Sequence, residues 1–327
     1  MELLSQKNKK PLWISVIVVA VVLIVLMIIG SFFDYQIAHG VGVERFSFFY
    51  IAFGMVFEGL GFLPAILVDA SLFAVLFIYA KRKGFKVLFR VLCTMFLIGG
   101  VYCAIFWTLA NHGLRIHESS SIHHGVAGGI STLVGITVSF PFVNLFRKLP
   151  RLTLRKLIYI LAIGAIMAFL ANATSAVMQM LWGRYRFYAI QNYYPNLPFT
   201  PWYRPFGRSD TVIEGYGFSA TSFPSMHASS VTSMVMLPLV GLVLSFNKKK
   251  MNILWVVTII MLISVPLSRM VLSWHFLTDV VFSMIIGLIS FIIGVLIIDY
   301  AFGNKMKKFL NQTVYEEIVE EQLRTSE

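Results

Sequence analysis

Eight stretches of roughly twenty apolar residues set the limits on what this chain can fold into. They lie near 12–33, 60–80, 90–110, 125–146, 157–182, 226–246, 252–272 and 275–299, and each is long enough to cross a hydrocarbon layer about 30 Å thick. Lipid supplies no hydrogen-bond partner to a bare backbone, so such segments satisfy their amides internally as helices. The expectation is an all-α polytopic membrane bundle of about eight transmembrane helices. At 58% hydrophobic and 13% charged over 327 residues, the chain is too apolar for an ordinary soluble domain. The first stretch is too long for a signal-peptide core and has no clear small-residue cleavage site, so it reads as a retained anchor.

Net charge +12 invites a nucleic-acid partner, but the distribution of the cations argues against one. Lys7, Lys9 and Lys10 precede the first span. Lys81, Arg82, Lys83, Lys86 and Arg90 lie between the second and third, and Arg147, Lys148, Arg151, Arg155 and Lys156 follow the fourth. Lys248, Lys249 and Lys250 follow the sixth, and Lys305, Lys307, Lys308 and Arg324 follow the eighth. These alternate connections hold 20 of the 27 basic residues, including every lysine. The positive-inside rule then expects both termini in the cytoplasm of a multi-pass cell-membrane protein. The other seven cations are arginines (45, 115, 184, 186, 204, 208 and 269), and they fall on the external side with all the histidines.

Several smaller features have plain readings. Cys93 and Cys103 share one predicted helix about 15 Å apart along its axis, too far to bridge, and read as buried thiols. The segment 34–59, with Asp34, Glu44, Arg45 and Glu58, reads as an external loop with a short interfacial helix. Asp69 lies within the second span, either hydrogen-bonded inside the bundle or on a polar path. The connection 183–224 is long and aromatic, which suits an interfacial aromatic belt or a lid over a lipid entrance. The acidic tail 309–327 reads as solvated. The sequons at Asn172 and Asn311 fall within the membrane and the cytoplasm, so they are discounted.

The chemistry concentrates near the C-terminal spans. Ser268-Arg269, His275 and Asp279 stand in the order S-R-x5-H-x3-D, and Pro224-Ser225-Met226-His227 lies upstream. Ionisable groups beside apolar spans are costly and usually functional. A histidine with an aspartate four residues on presents both on one helical face. The carboxylate can accept from Nδ1–H and leave Nε2 free as a nucleophile. Serine and backbone amides suit phosphate oxygens, and the set points to phosphoryl transfer at a membrane surface.

This pair of motifs resembles the type 2 phosphatidic acid phosphatase (PAP2) superfamily, whose pattern is K-x6-R-P, then P-S-G-H, then S-R-x5-H-x3-D. The third motif matches in full. The second departs only at Met226, where the family has glycine. In the first, spacing lands Arg186 on the family arginine, with Gln179 at the lysine and Phe187 at the proline. Arg204-Pro205 has the right dipeptide, but Leu197 at its lysine position rules it out. The resemblance covers roughly 90–300 and implies a six-helix catalytic core there, with anchor helices and an external loop in 1–89 and a cytoplasmic tail in 301–327.

The resemblance implies that His275 attacks phosphorus to form a phosphohistidine, that Asp279 fixes its tautomer, and that His227 protonates the departing oxygen and then helps activate water. Arg186 and Arg269 would grip the equatorial oxygens and Ser225 would complete the cradle. Arg184, two residues from Arg186, would compensate for the lysine that Gln179 replaces. A second histidine group (112, 117, 123 and 124) fits no zinc spacing, so neither metal nor other cofactor is expected. The partners are the bilayer and a membrane lipid phosphate. The implied activity is phosphatase action on a lipid phosphate or isoprenyl diphosphate at the external leaflet. The alternatives are transfer of the phosphoryl or head group to another alcohol, or silent binding of lipid phosphates, which the departures at Gln179 and Met226 motivate.

Overall fold

The computed structural model describes residues 6–43, 48–108, 121–193, 199–205 and 220–300. Among them the chain is helical and forms no strand. Nine α-helices follow in order: α1 Gln6–Val41, α2 Phe48–Arg82, α3 Val87–Thr108, α4 Ser121–Phe146, α5 Arg151–Trp182, α6 Met226–Val231, α7 Met236–Val243, α8 Lys248–Val271 and α9 Leu277–Tyr300. Five described segments are long and apolar enough to cross a membrane: Trp13–Val41, Arg151–Trp182, Met226–Val243, Lys248–Val271 and Leu277–Ile297. The protein is an all-α, multi-pass membrane bundle.

The sixth apolar stretch is one span built from three pieces. Between α6 and α7 the chain tightens into a 3-10 turn at Thr232–Val235. Thr232 Oγ1 donates to the Ser229 carbonyl at 2.6 Å and Ser233 Oγ to the Ser230 carbonyl at 2.7 Å. Hydroxyls that bond back to carbonyls three residues earlier offer the backbone an alternative to α-geometry.

The expected loop over 34–59 is mostly helix. α1 runs on to Val41 and α2 begins at Phe48, so Asp34 is an intrahelical residue rather than a loop one. Along α1 the protein-facing positions are Leu23, Met27, Gly30, Asp34 and Ala38, while Ile24, Val25, Ile28, Ile29, Phe32 and Phe33 between them face outward. That three-to-four spacing is one helical stripe. It packs on α9, so the first helix belongs to the wall of the bundle. The short α6 lies at the centre, packed against α2, α5, α8 and α9.

Two helix ends deliver the loops of interest. α5 stops at Gly183, which adopts the left-handed conformation (φ 64°) that glycine takes without a Cβ penalty. α8 stops in a Schellman turn, with Trp274 N–H donating to the Arg269 carbonyl and Ser273 N–H to that of Met270. Ser273 holds the left-handed position (φ 58°) where glycine is usual.

Candidate active site

Three backbone segments converge beyond these helix ends: 183–190, 220–225 and 271–279. Ser222 N–H donates to the Arg184 carbonyl at 2.9 Å, Tyr188 N–H to that of Ser273 at 2.8 Å, and Ser225 N–H to that of Asp279 at 3.2 Å. All three sequence motifs thus meet in one place, although the first and third lie almost ninety residues apart.

His275 sits in the α8–α9 turn, 2% exposed. Its Nδ1 lies 2.6 Å from the Ser222 carbonyl. A carbonyl oxygen only accepts, so Nδ1 carries the proton and Nε2 keeps its lone pair. The expected partner of Nδ1 was Asp279, but Asp279 Oδ2 stands 3.7 Å away, too far for a hydrogen bond though close enough to act as a charge. Asp279 instead supports the segments on either side. Its Oδ2 accepts from Ser222 Oγ at 2.5 Å and, in the way a capping-box acid reaches back, from Phe276 N–H at 2.8 Å. Burial pushes the His275 imidazole down to about 4, and the charges of Arg186 and His227 push the same way against the pull of Asp279. The ring is therefore neutral at physiological pH.

The arginines divide their work. Arg184 was expected to face the phosphate in place of the missing lysine, but its guanidinium is turned into the protein and 1% exposed. Nε donates to the Thr200 carbonyl at 2.8 Å, and Nη1 to Thr278 Oγ1 at 2.9 Å and Asp279 Oδ1 at 2.5 Å. Nη2 donates to Asp34 Oδ2 at 2.8 Å. The Phe276 ring packs 4.1 Å from the guanidinium carbon. All three nitrogens are engaged with protein acceptors, which leaves no open fork for a phosphate. Arg186 is placed differently: it lies over the Trp274 ring, 4.7 Å from its centroid, and Nη2 donates to Thr221 Oγ1 at 3.2 Å. Arg269 is buried at the end of α8, with Nε directed at Ser268 Oγ at 3.4 Å.

Gln179, at the family's lysine position, donates through Nε2 to the Pro224 carbonyl at 2.6 Å. It ties α5 to the residue before Ser225 and contributes no charge. Ser225 is fully buried and its hydroxyl meets no protein partner. His227 follows on α6 against Gly61 of α2, where an added Cβ would fall 2.5 Å from the ring's Cδ2.

Sequence reasoning missed Asp34, Thr278, Ser222 and Gly61. Only Asp34 left a clear signal, as a carboxylate in an apolar run. Of the long connection, 183–193, 199–205 and 220–224 are described, and residues from the last two stretches pack as an aromatic cap. Trp182 Nε1 donates to the Trp202 carbonyl at 2.5 Å, and Trp202 Nε1 to Ser31 Oγ on α1 at 2.8 Å. Phe223 packs against the Trp202 and Phe282 rings. Of the second histidine group, His112 and His117 lie outside the described residues, as do the side chains of His123 and His124.

Residues 155–302 match the model of the PAP2 superfamily. Through this segment the chain belongs to that superfamily. The matched region holds all three motifs and every site residue named above except Asp34 and Gly61, and phosphatase-type chemistry goes with the membership. No curated protein and no solved structure matches the chain.

Proposed function

We propose that this PAP2 protein is a metal-independent lipid phosphate phosphatase that hydrolyses a lipid monophosphate or isoprenyl diphosphate at the external leaflet. The observation that carries the reading is the contact between His275 Nδ1 and the Ser222 carbonyl at 2.6 Å, which commits the proton to one nitrogen and supports Nε2 as the nucleophile.

Nε2 attacks the terminal phosphorus, the N–P bond forms, and the P–O bond to the leaving oxygen breaks, that of the lipid alcohol in a monophosphate or of the lipid monophosphate in a diphosphate. Protonated His227 gives its proton to that departing oxygen. A water then attacks the phosphohistidine with His227 as base, releasing phosphate and restoring neutral His275. Arg186 and Arg269 hold the equatorial oxygens, and the buried hydroxyl of Ser225 donates to one of them. Asp279 opposes the positive charge that grows on the imidazole. The alternation of lysines along the chain supports cytoplasmic termini and an external site. A cysteine at the exposed Tyr203 then reacts with an impermeant thiol reagent on intact cells, and one at Lys249 does not.

Free phosphate released from a panel of lipid mono- and diphosphates by purified protein tests the function. Release into water supports the phosphatase. Transfer to an added alcohol without release would make the protein a transferase, and substrate binding with neither would leave only a lipid-phosphate binder.

A further inference from the structure

We propose that Asp34, on the first helix, is a positioning residue for this site, fixing Arg184 and Thr278 so that Asp279 and Ser222 keep the His275 proton on Nδ1. Asp34 lies outside the segment that matches the family and is 3% exposed.

Its two oxygens are fully used. Oδ1 accepts from Thr278 N–H at 3.0 Å, and Oδ2 accepts from Arg184 Nη2 at 2.8 Å and from the Thr278 hydroxyl. The approach of α1 to α9 is built for this. Gly30 lies one turn before Asp34 on the same stripe, and a Cβ there would stand 2.7 Å from Thr278 Cγ2. A side chain at position 30 would hold α1 off and carry the carboxylate out of reach.

The consequence for the site follows from how Arg184 is shared. One guanidinium stands between two carboxylates, Nη2 on Asp34 and Nη1 on Asp279. Asp279 therefore gives only Oδ1 to the arginine, and Oδ2 stays with Ser222 Oγ and Phe276 N–H. Ser222 is the residue whose carbonyl holds His275 Nδ1. Without Asp34, the Arg184 fork closes on Asp279 alone, since a bidentate arginine–carboxylate pair is the stronger geometry. Oδ2 then leaves Ser222 and the carbonyl that selects the tautomer loosens. One cation between two carboxylates also leaves a negative charge in excess, which opposes the positive charge arising on His275 as it takes up phosphorus.

The kinetic part of this inference rests on the phosphatase reading; the geometric part does not, and two readouts separate them. Histidine ring labels observed by NMR, with His275→Ala to assign the signal, report the tautomer directly. The wild type is expected in the Nδ1–H form at neutral pH, and Asp34→Asn in a mixture of both. On a lipid phosphate that the wild type hydrolyses, Asp34→Asn lowers kcat on the order of 10- to 100-fold, the scale of a misplaced reacting group. KM changes little, and in an Arg184→Gln background the same substitution adds less than about threefold. Where Asp34→Asn cannot be recovered folded, Thr278→Val, which removes the shared hydroxyl and no charge, gives a milder form of the same signature. A wild-type tautomer in the variant, or a kcat within about twofold of wild type, overturns the proposal. A wild type that hydrolyses no lipid phosphate sinks the functional reading instead, and the tautomer still decides the role of Asp34.

Discussion

Arg82 and Arg184 mark the two ends of α5 and meet opposite fates. At the α4–α5 turn, half-buried Arg82 donates to the carbonyls of Leu149 and Arg147, fastening the end of α2 to the neighbouring turn. At the far end, Arg184 is buried between Asp34 and Asp279. At the first end a cation near the surface takes backbone carbonyls as partners, an arrangement that tolerates change. The second pairs charges with one another inside the protein, where removing one member leaves its partner exposed to the low dielectric. Charge in this chain is thus of two kinds, and mutational sensitivity should divide along the same line.

Four expectations test that division. His275→Ala removes the nucleophile and should lower turnover by about 10⁴-fold or more, with His227→Ala costing about 10²–10⁴-fold, both read as phosphate release. The pH profile comes next. His275 attacks only when neutral, and burial holds it down to about 4, so the acid limb of kcat/KM should fall near pH 4. A histidine at the ordinary value of about 6.5 would already have lost roughly thirtyfold at pH 5. The same sign holds for stability: the unfolded chain binds the His275 proton more readily, so folding stability declines as pH falls from about 6.5 toward 4.

Gly61→Ala is the third. Alanine in a helix interior is favoured over glycine by about 0.8–1.0 kcal/mol, yet here its Cβ would meet the His227 ring. A kcat reduced on the order of tenfold or more with an unchanged or raised Tm would show that the contact is functional, and an unaltered kcat would show that the ring has room to move. The smallest effect belongs to the other end. Arg82→Ala should leave kcat unchanged and reduce stability by about 1 kcal/mol, measured by thermal unfolding in detergent. A large loss of activity there would break the comparison.

The legible part of the molecule is what local sequence dictates. Apolar runs gave the spans because lipid permits little else, and S-R-x5-H-x3-D marked the turn holding His275 because its spacing is local. Partnerships made across the fold were hidden. Asp34 and Arg184 are 150 residues apart and Asp34 and Thr278 are 244 apart, and no periodicity links them. Arg184 looks like a phosphate ligand because it lies two residues from Arg186, but its guanidinium is taken up by Thr200, Thr278, Asp279 and Asp34, partners that local sequence does not reveal. Asp34 lies in a helix rather than a loop because α1 continues past the apolar run at 12–33 to Val41, and its buried stripe reaches Ala38. The break in the sixth span falls in its run of hydroxyl residues, whose bonds back to the helix compete with α-geometry.

The central claim is that His275 takes up the phosphoryl group through Nε2. Incubating purified protein with a lipid phosphate labelled at phosphorus, quenching in alkali and locating the label by peptide fragmentation tests it directly. The account predicts an acid-labile, base-stable phosphoryl group on His275 that is absent from His275→Ala. Turnover accompanied by label on another residue, or undiminished turnover in His275→Ala, would contradict it.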